Sequence, residues 1–153
     1  MTDSYLLDRY GEKYDVDLDE DDISLDAFII WGHSGIGRIQ CVVDEEANVL
    51  VIGNIELFEQ PLLPRNGIFS FRPFQRPKRN FRGRGLGSAM LKYVIAQAER
   101  LGVAGISGFI TPDDARITPY LFDFYRKHGF EVRLKHDPAR HAVATIYRDV
   151  EVR

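Results

Sequence analysis

The chain has 153 residues, of which 44% are hydrophobic and 28% charged, and its formal net charge is −3. This balance is typical of one packed domain and excludes a disordered chain, and the negative charge gives no general reason to expect nucleic acid as a partner. No apolar run approaches the ~20 residues of a membrane-spanning helix, and the single cysteine, Cys41, excludes an internal disulfide and indicates a reducing compartment.

The first 24 residues carry little structural signal. They lack the basic and apolar regions of a secretory signal, so we expect a cytoplasmic protein. A short helix is predicted over residues 4–14, and the acidic run DVDLDEDD follows over residues 15–22. Because this run lacks the glycine and the glutamate of an EF-hand loop, it is interpreted as a solvated face or as a patch that attracts a cationic substrate.

Strand signals dominate the next part of the chain. Apolar and β-branched residues predict strands over residues 25–31, 38–44 and 49–58, separated by the loop GHSGIG and the polar connection DEEAN. Two prolines interrupt the pattern before a further predicted strand over residues 67–74.

Helices and strands alternate in the remainder. Apolar residues at helical spacing predict a helix from Leu86 to Leu101 that stops at Gly102. A strand over residues 105–110, a loop over 112–116 and a helix over 119–128 with Thr118 as its N-cap follow. Strands from Phe130 and over residues 141–150 complete a mixed α/β domain that spans residues 1–153.

Three glycines open the first of these helices, in the stretch FRGRGLGS over residues 81–88. A helix N-terminus has N–H groups without partners and a partial positive charge, so it binds anions. Glycines let the backbone approach phosphate oxygens, and Arg82 and Arg84 add charged donors. The loop therefore predicts a phosphate cradle, whereas the alternative is a glycine-rich turn without a ligand. Its spacing is neither that of a dinucleotide fingerprint nor that of a Walker A loop.

The spacing Arg82-x-x-Gly85-x-Gly87 resembles the pyrophosphate-binding motif, R/Q-x-x-G-x-G/A, of the GCN5-related N-acetyltransferase (GNAT) superfamily. A second stretch, LFDFYRKHGFEV over residues 121–132, is similar to the helix and strand in which this family places a tyrosine before Gly-Phe. The resemblance covers roughly residues 38–150. It implies a mixed, mostly antiparallel central sheet flanked by helices. The N-terminal helical region is reduced, because only GHSGIG stands where the family often has two helices.

The resemblance implies an N-acetyltransferase that uses acetyl-CoA (coenzyme A) and lets an amine attack the thioester directly. The positions that match cofactor-binding residues of the family are Phe74, Arg82, Gly83, Arg84, Gly85, Leu86, Gly87, Ser88 and Thr118. The pyrophosphate is expected on the amides of residues 84–88, and the pantetheine arm between the strand that ends near Phe74 and the strand 105–110. Thr118 stands where many members have an asparagine.

Two residues are candidates for the chemistry. Tyr125 matches the family's tyrosine and is expected to protonate the departing thiolate, because a phenol is a donor at neutral pH. Glu56, on the strand 49–58, is the candidate base, and His33 is its rival. The four histidines show no metal-ligand spacing, so no metal site is expected.

Two other functions are compatible with the sequence. One is a catalytically silent domain that binds acyl-CoA as a sensor, and the other is a nucleic-acid-binding domain that uses the basic loop 72–84 with its interleaved phenylalanines. The acceptor, a small-molecule or peptide amine, and the acyl chain length cannot be identified from the sequence. Members of the family often form homodimers, but nothing in the sequence determines the oligomeric state.

Overall fold

The computed structural model describes residues 5–62, 81, 83–137 and 141–150. Its elements in chain order are β1 (Tyr5–Leu7), β2 (Lys13–Glu20), β3 (Ser24–Trp31), β4 (Ser34–Asp44), β5 (Val49–Leu62), α1 (Leu86–Leu101), β6 (Gly105–Ile110), α2 (Pro112–Ile117), α3 (Leu121–Lys127), β7 (Glu131–Asp137) and β8 (Ala142–Asp149). The strands of the described part form one sheet in the order β1-β2-β3-β4-β5-β6-β8-β7. The predicted mixed α/β fold with a mostly antiparallel sheet is confirmed.

The N-terminal segment is a β-hairpin, so the helix predicted over residues 4–14 is wrong. β1 pairs with β2 in antiparallel fashion, and β2 pairs in the same way with β3. Tyr14 and Val16 are buried, whereas Asp15 between them and Asp17 after them are exposed. This alternation has the period of a strand, and the acidic residues lie on its solvated face.

Contacts divide the chain into two compact units. The first contains Met1–Gln40 and Asn54–Tyr93, and the second contains Cys41–Gly53 and Val94–Arg153. The strands β4 and β5 and the helix α1 each contribute residues to both units. The predicted strand 67–74 lies outside the described residues.

In the second unit the sheet has one buried and one accessible face. β5 pairs with β6 in parallel, with Leu50 opposite Ile106, and β8 pairs with β6 and β7 in antiparallel fashion. Leu50, Ile106 and Ile146 are buried. The opposite face carries the partly exposed rings of Phe109 and Tyr147, which are among the residues that line a groove of about 400 Å³.

Helix α1 ends where its sequence predicted. Gly102 has a φ of +72°, a left-handed conformation that favours glycine. The Gly102 N–H donates to the Glu99 carbonyl, and the Val103 N–H donates to the Ala98 carbonyl. These two bonds form a Schellman motif, with the buried Val103 following the turn.

The region between β6 and β7 differs from the prediction in three places. The predicted loop over residues 112–116 is the short helix α2, because Thr111 and Asp114 form a reciprocal capping box at its start. The following helix is α3, which begins at Leu121 rather than at Pro119. Thr118 is therefore the C-cap of α2, and not the N-cap of α3.

In the N-terminal half, β4 begins at Ser34, so the predicted GHSGIG loop shortens to a turn.

Candidate functional site

Two of the three glycines in the loop have backbone angles that other amino acids rarely adopt. Gly83 and Gly85 have φ angles of +75° and +76°, whereas Gly87 lies inside α1 and has no positive φ. Open space surrounds the position that a Cβ on Gly83 would occupy. Two glycines are thus required by the turn, and the third keeps the first helical turn free of a side chain.

The start of α1 presents backbone donors. The first intrahelical bond runs from the Ala89 N–H to the Gly85 carbonyl, at 3.0 Å. The amides of Leu86 and Gly87 precede this bond, so they have no acceptor within the helix. Leu86 is almost completely buried and anchors the start of the helix. The loop therefore has the donors and the partial charge of an anion cradle.

The Arg84 side chain is engaged by two carboxylates. Its Nε donates to Asp8 Oδ2 at 2.8 Å, and its Nη2 donates to Glu12 Oε2 at 3.1 Å. The guanidinium also lies 4.8 Å from the centroid of the Tyr10 ring. No sequence pattern indicated these partners, and they neutralise the charge that was expected to serve a phosphate. The Arg84 amide and the other cradle residues remain predictions, and Arg82 and Phe74 lie outside the described residues.

Asp8 is the centre of this contact. Its side chain is fully buried, and it accepts hydrogen bonds from the Tyr10 N–H, the Glu12 N–H, the Tyr14 hydroxyl and the Arg84 Nε. Burial alone would raise the pKa of Asp8, but these hydrogen bonds outweigh burial and lower the pKa to about 2. Asp8 is therefore a buried carboxylate that is paired with the Arg84 guanidinium.

Glu56, the candidate base, belongs to the same unit as the glycine loop. It lies on β5 as predicted and is exposed. A Cβ on Gly37 would come within 2.9 Å of the Glu56 carbonyl oxygen, so β4 needs a glycine at this point. Glu56 also contributes to the raised pKa of Arg38, after the larger effect of the hydrogen bond from Arg38 to Asp26.

Tyr125 belongs to the second unit, and its ring takes part in the end of α3. The Phe130 N–H donates to the Tyr125 carbonyl and the Gly129 N–H donates to the Arg126 carbonyl, which is a second Schellman motif. The rings of Tyr125 and Phe130 meet edge to face, with centroids 5.5 Å apart. The Tyr-x-x-x-Gly-Phe pattern thus forms the end of α3. These contacts use the Tyr125 ring and carbonyl and do not involve the hydroxyl.

The Tyr125 hydroxyl remains protonated well above neutral pH. Burial is the main cause that raises its pKa to about 12, and the nearby negative charge of Asp114 adds to the effect. Thr118, the predicted cofactor residue of this unit, is partly buried and donates its backbone N–H to the Asp114 carbonyl. Its role toward a cofactor stays a prediction.

The described residues contain neither a metal-binding cluster nor a membrane-spanning helix. No group of three or more His, Cys, Asp or Glu side chains in the described ranges is arranged to hold a metal ion. No helix in the same ranges is long and apolar enough to span a membrane.

Comparisons with known proteins identify the fold. No protein-family model and no curated protein matches the sequence. Among solved structures, an acetyltransferase of Bacillus subtilis in complex with CoA aligns with a TM-score of 0.59 at 12% identity, over 90% of this chain and 99% of that one. The ribosomal-protein-S18-alanine N-acetyltransferase of Escherichia coli aligns with a TM-score of 0.56 at 14% identity, over 88% and 74%. A GNAT-family acetyltransferase of Staphylococcus aureus aligns with a TM-score of 0.56 at 15% identity, over 84% and 69%. At these identities the likeness concerns the fold.

Proposed function

We propose that this chain, which has the GNAT fold, is a cytoplasmic N-acetyltransferase that moves an acetyl group from acetyl-CoA to an amine. The observation that carries the proposal is the glycine loop at the start of α1, with two positive φ angles and backbone amides at a helix N-terminus. The same loop matches the family's pyrophosphate motif in sequence. Fold and loop are independent observations, and both favour an acyl-CoA ligand.

The loop fits the pyrophosphate of coenzyme A in its chemistry. The amides of residues 84–88 would hold the phosphate oxygens, and the absence of a Cβ at Gly83, Gly85 and Gly87 lets them approach the backbone. Arg82 would supply a charged donor. When bound, acetyl-CoA supplies an acetyl group activated as a thioester.

In the proposed reaction the amine nitrogen forms a bond to the acyl carbon, and the carbon–sulfur bond breaks. The Tyr125 phenol donates its proton to the departing sulfur and is later reprotonated from solvent. A pKa of about 12 keeps this phenol in the donor form at neutral pH. The hydrogen-bond capacity of the hydroxyl supports this role, because the ring alone satisfies the packing of the helix end.

The amine must lose a proton as it attacks. We propose Glu56 as the group that receives it, directly or through water, since Glu56 is an exposed carboxylate on the strand of the same unit as the loop. His33, in the turn between β3 and β4, is exposed and is the alternative base. The exposed aspartates of β2 would favour an acceptor that carries positive charge.

A thiol-release assay tests the proposal. The protein is incubated with acetyl-CoA and a panel of small amines, polyamines and peptides, and free coenzyme A is measured with a thiol-reactive dye. We expect release that depends on at least one class of amine. Binding of acetyl-CoA with no release on any amine would favour the silent sensor, and tight but steeply salt-dependent binding of DNA or RNA would favour the nucleic-acid alternative.

A further inference from the structure

The glycine loop is held at three points by one short turn of the N-terminal hairpin. This turn, residues 8–12, joins β1 to β2 and is called the hairpin turn below. The Arg9 N–H donates to the Arg84 carbonyl at 2.8 Å, and the Arg84 Nε donates to Asp8 Oδ2 at the same distance. Backbone and side chain of the same loop residue are thus tied to neighbouring residues of the turn.

The two oxygens of Asp8 have separate tasks. Oδ1 accepts from the N–H groups of Tyr10 and Glu12, so it shapes the hairpin turn itself. Oδ2 accepts from the Tyr14 hydroxyl and the Arg84 Nε, so it connects the turn to the loop. Because the carboxylate is buried, this connection is shielded from water and salt.

Glu12 adds the third connection. Its Oε2 accepts from Arg84 Nη2, and its Oε1 accepts from the Trp31 indole N–H at 3.0 Å. The Trp31 ring meets the buried Phe81 ring edge to face at 5.4 Å, and Tyr14 also meets Phe81 at 6.1 Å. Phe81 is the first residue of the loop stretch. The side chains that contact Phe81 and those that hold Arg84 are thus linked through Glu12 and Asp8.

We propose that Asp8 and Glu12 are positioning residues for the phosphate cradle, and that the Arg84 side chain fastens the loop to the hairpin turn instead of binding phosphate. The inference rests on the proposed function, because it assigns the loop to the pyrophosphate of coenzyme A. It gives the N-terminal hairpin a part in cofactor binding.

The physical reason is the cost of ordering glycines. Gly83 and Gly85 gain conformational freedom when the loop is released, and a ligand that must order them binds more weakly. Fixing Arg84 between them holds the loop in its left-handed turns before the ligand arrives. The affinity for coenzyme A should therefore depend on Asp8, a residue of the hairpin turn whose side chain is fully covered by its neighbours.

Asp8→Asn tests this dependence selectively. Its amide oxygen can replace Oδ1 and keep the bonds from Tyr10 and Glu12. Its NH₂ group then faces the Arg84 Nε–H, donor against donor, whereas the Tyr14 hydroxyl can rotate to accept. The matched control is Asp15→Asn, which removes one negative charge from the exposed face of the same hairpin.

The measurement is titration calorimetry with coenzyme A at a temperature where circular dichroism shows both variants folded. We expect Asp8→Asn to bind about tenfold more weakly, because a hydrogen bond to a charged group is lost. Asp15→Asn should bind like the wild type. Stronger binding by Asp8→Asn would overturn the proposal, since it would mean that the released guanidinium serves the phosphate.

A double-mutant cycle shows whether the effect passes through Arg84. Arg84→Met should also weaken binding, and the double variant Asp8→Asn, Arg84→Met should lie within about threefold of Arg84→Met alone. Additive losses would overturn the proposal, because they would show that Asp8 acts on the fold in general. With an acceptor in hand, Asp8→Asn should raise KM for acetyl-CoA and leave kcat unchanged, because the contact acts on binding.

Coenzyme A binding by the wild type distinguishes failure of the proposed function from failure of the positioning role. If it does not bind coenzyme A, the proposed function fails and the positioning role fails with it. If it binds, and Asp8→Asn binds equally well, only the positioning role is overturned.

Discussion

Tyr125 illustrates how one side chain can serve structure and chemistry through different atoms. Its ring packs on Phe130 at the end of α3, and its carbonyl accepts from the Phe130 N–H. Both contacts are independent of the hydroxyl. A change confined to the hydroxyl therefore separates the proposed catalytic role from packing.

Tyr125→Phe should retain cofactor binding and lose turnover. We expect kcat to fall by about a hundredfold or more, because the departing sulfur loses its proton donor. The dissociation constant for acetyl-CoA, measured by calorimetry, should change little. Tyr120→Phe, which alters a largely exposed phenol close by, is the control. An unchanged kcat would show that water or another acid protonates the thiolate.

The lowered pKa of Asp8 predicts that part of the unfolding free energy is lost in acid. Its pKa falls from 3.8 to about 2 on folding, so the charged form stabilises the fold above the unfolded value. This contribution is lost as the pH falls through the folded value. The difference in unfolding free energy between the wild type and Asp8→Asn should therefore shrink between about pH 5 and about pH 2. Urea denaturation across this range measures it, and a constant difference would contradict the assigned pKa.

Helices α1 and α3 end at glycines whose surroundings differ. Gly102 has a φ of +72°, and a Cβ at this position would meet nothing within 4 Å, whereas a Cβ on Gly129 would collide with Arg148 Nη1. Arg148 donates there to the His128 carbonyl, so it supports the end of α3. Both glycines thus have a left-handed backbone, but only at Gly129 is there also no room for a Cβ.

Gly129→Ala should therefore lower the unfolding free energy more than Gly102→Ala does. Gly102→Ala should lower the unfolding free energy by about 1–2 kcal/mol, the cost of a left-handed residue with a Cβ. Gly129→Ala should cost more, because Arg148 must also move. Chemical denaturation of both variants measures the two losses. Equal losses would show that Arg148 adjusts freely.

Elements with a strong local signal were predictable from the sequence. Helix α1 and strand β6 have the predicted bounds, because apolar spacing defines them and Gly102 provides the stop between. The tyrosine and Gly-Phe pattern correctly indicated the end of α3 and the start of β7. Helix α2 was missed because its stability comes from the reciprocal bonds of Thr111 and Asp114 more than from an apolar face.

The connection of the hairpin turn to the glycine loop was not predictable. Asp8 and Arg84 are 76 residues apart, and no periodicity relates them. The hairpin itself left a signal, since Tyr14, Val16 and Leu18 alternate with charged residues. The acidic run obscured this alternation. Its charge and its place in the glycine motif both predict that Arg84 serves the phosphate, but neither reveals whether a buried partner exists.

The whole chain consists of two compact units that share elements. The boundary between the units falls between Tyr93 and Val94, within α1, and within β4 and β5 as well. A helix cannot fray in its middle without losing the hydrogen bonds on both sides. We therefore propose that residues 1–153 form one folding domain.

This proposal predicts a single unfolding transition. Tryptophan fluorescence reports on Trp31 in the first unit, and far-ultraviolet circular dichroism reports on the helices, of which α2 and α3 belong to the second unit. The two signals should change at the same urea concentration. Transitions at different concentrations would show that the units unfold independently.

Acetyl-CoA binding to the glycine loop is the central claim, and thermal unfolding with added acetyl-CoA tests it most directly. A ligand at a hundred times its dissociation constant stabilises the folded state by about 2.7 kcal/mol, which raises the Tm of a chain of this size by about 5–10 °C. The wild type should show this rise. Gly87→Asp should abolish it through repulsion of the pyrophosphate, whereas Gly87→Asn, equal in size and uncharged, should retain more of it. No rise for the wild type at millimolar acetyl-CoA, or the same rise for Gly87→Asp, would contradict the claim.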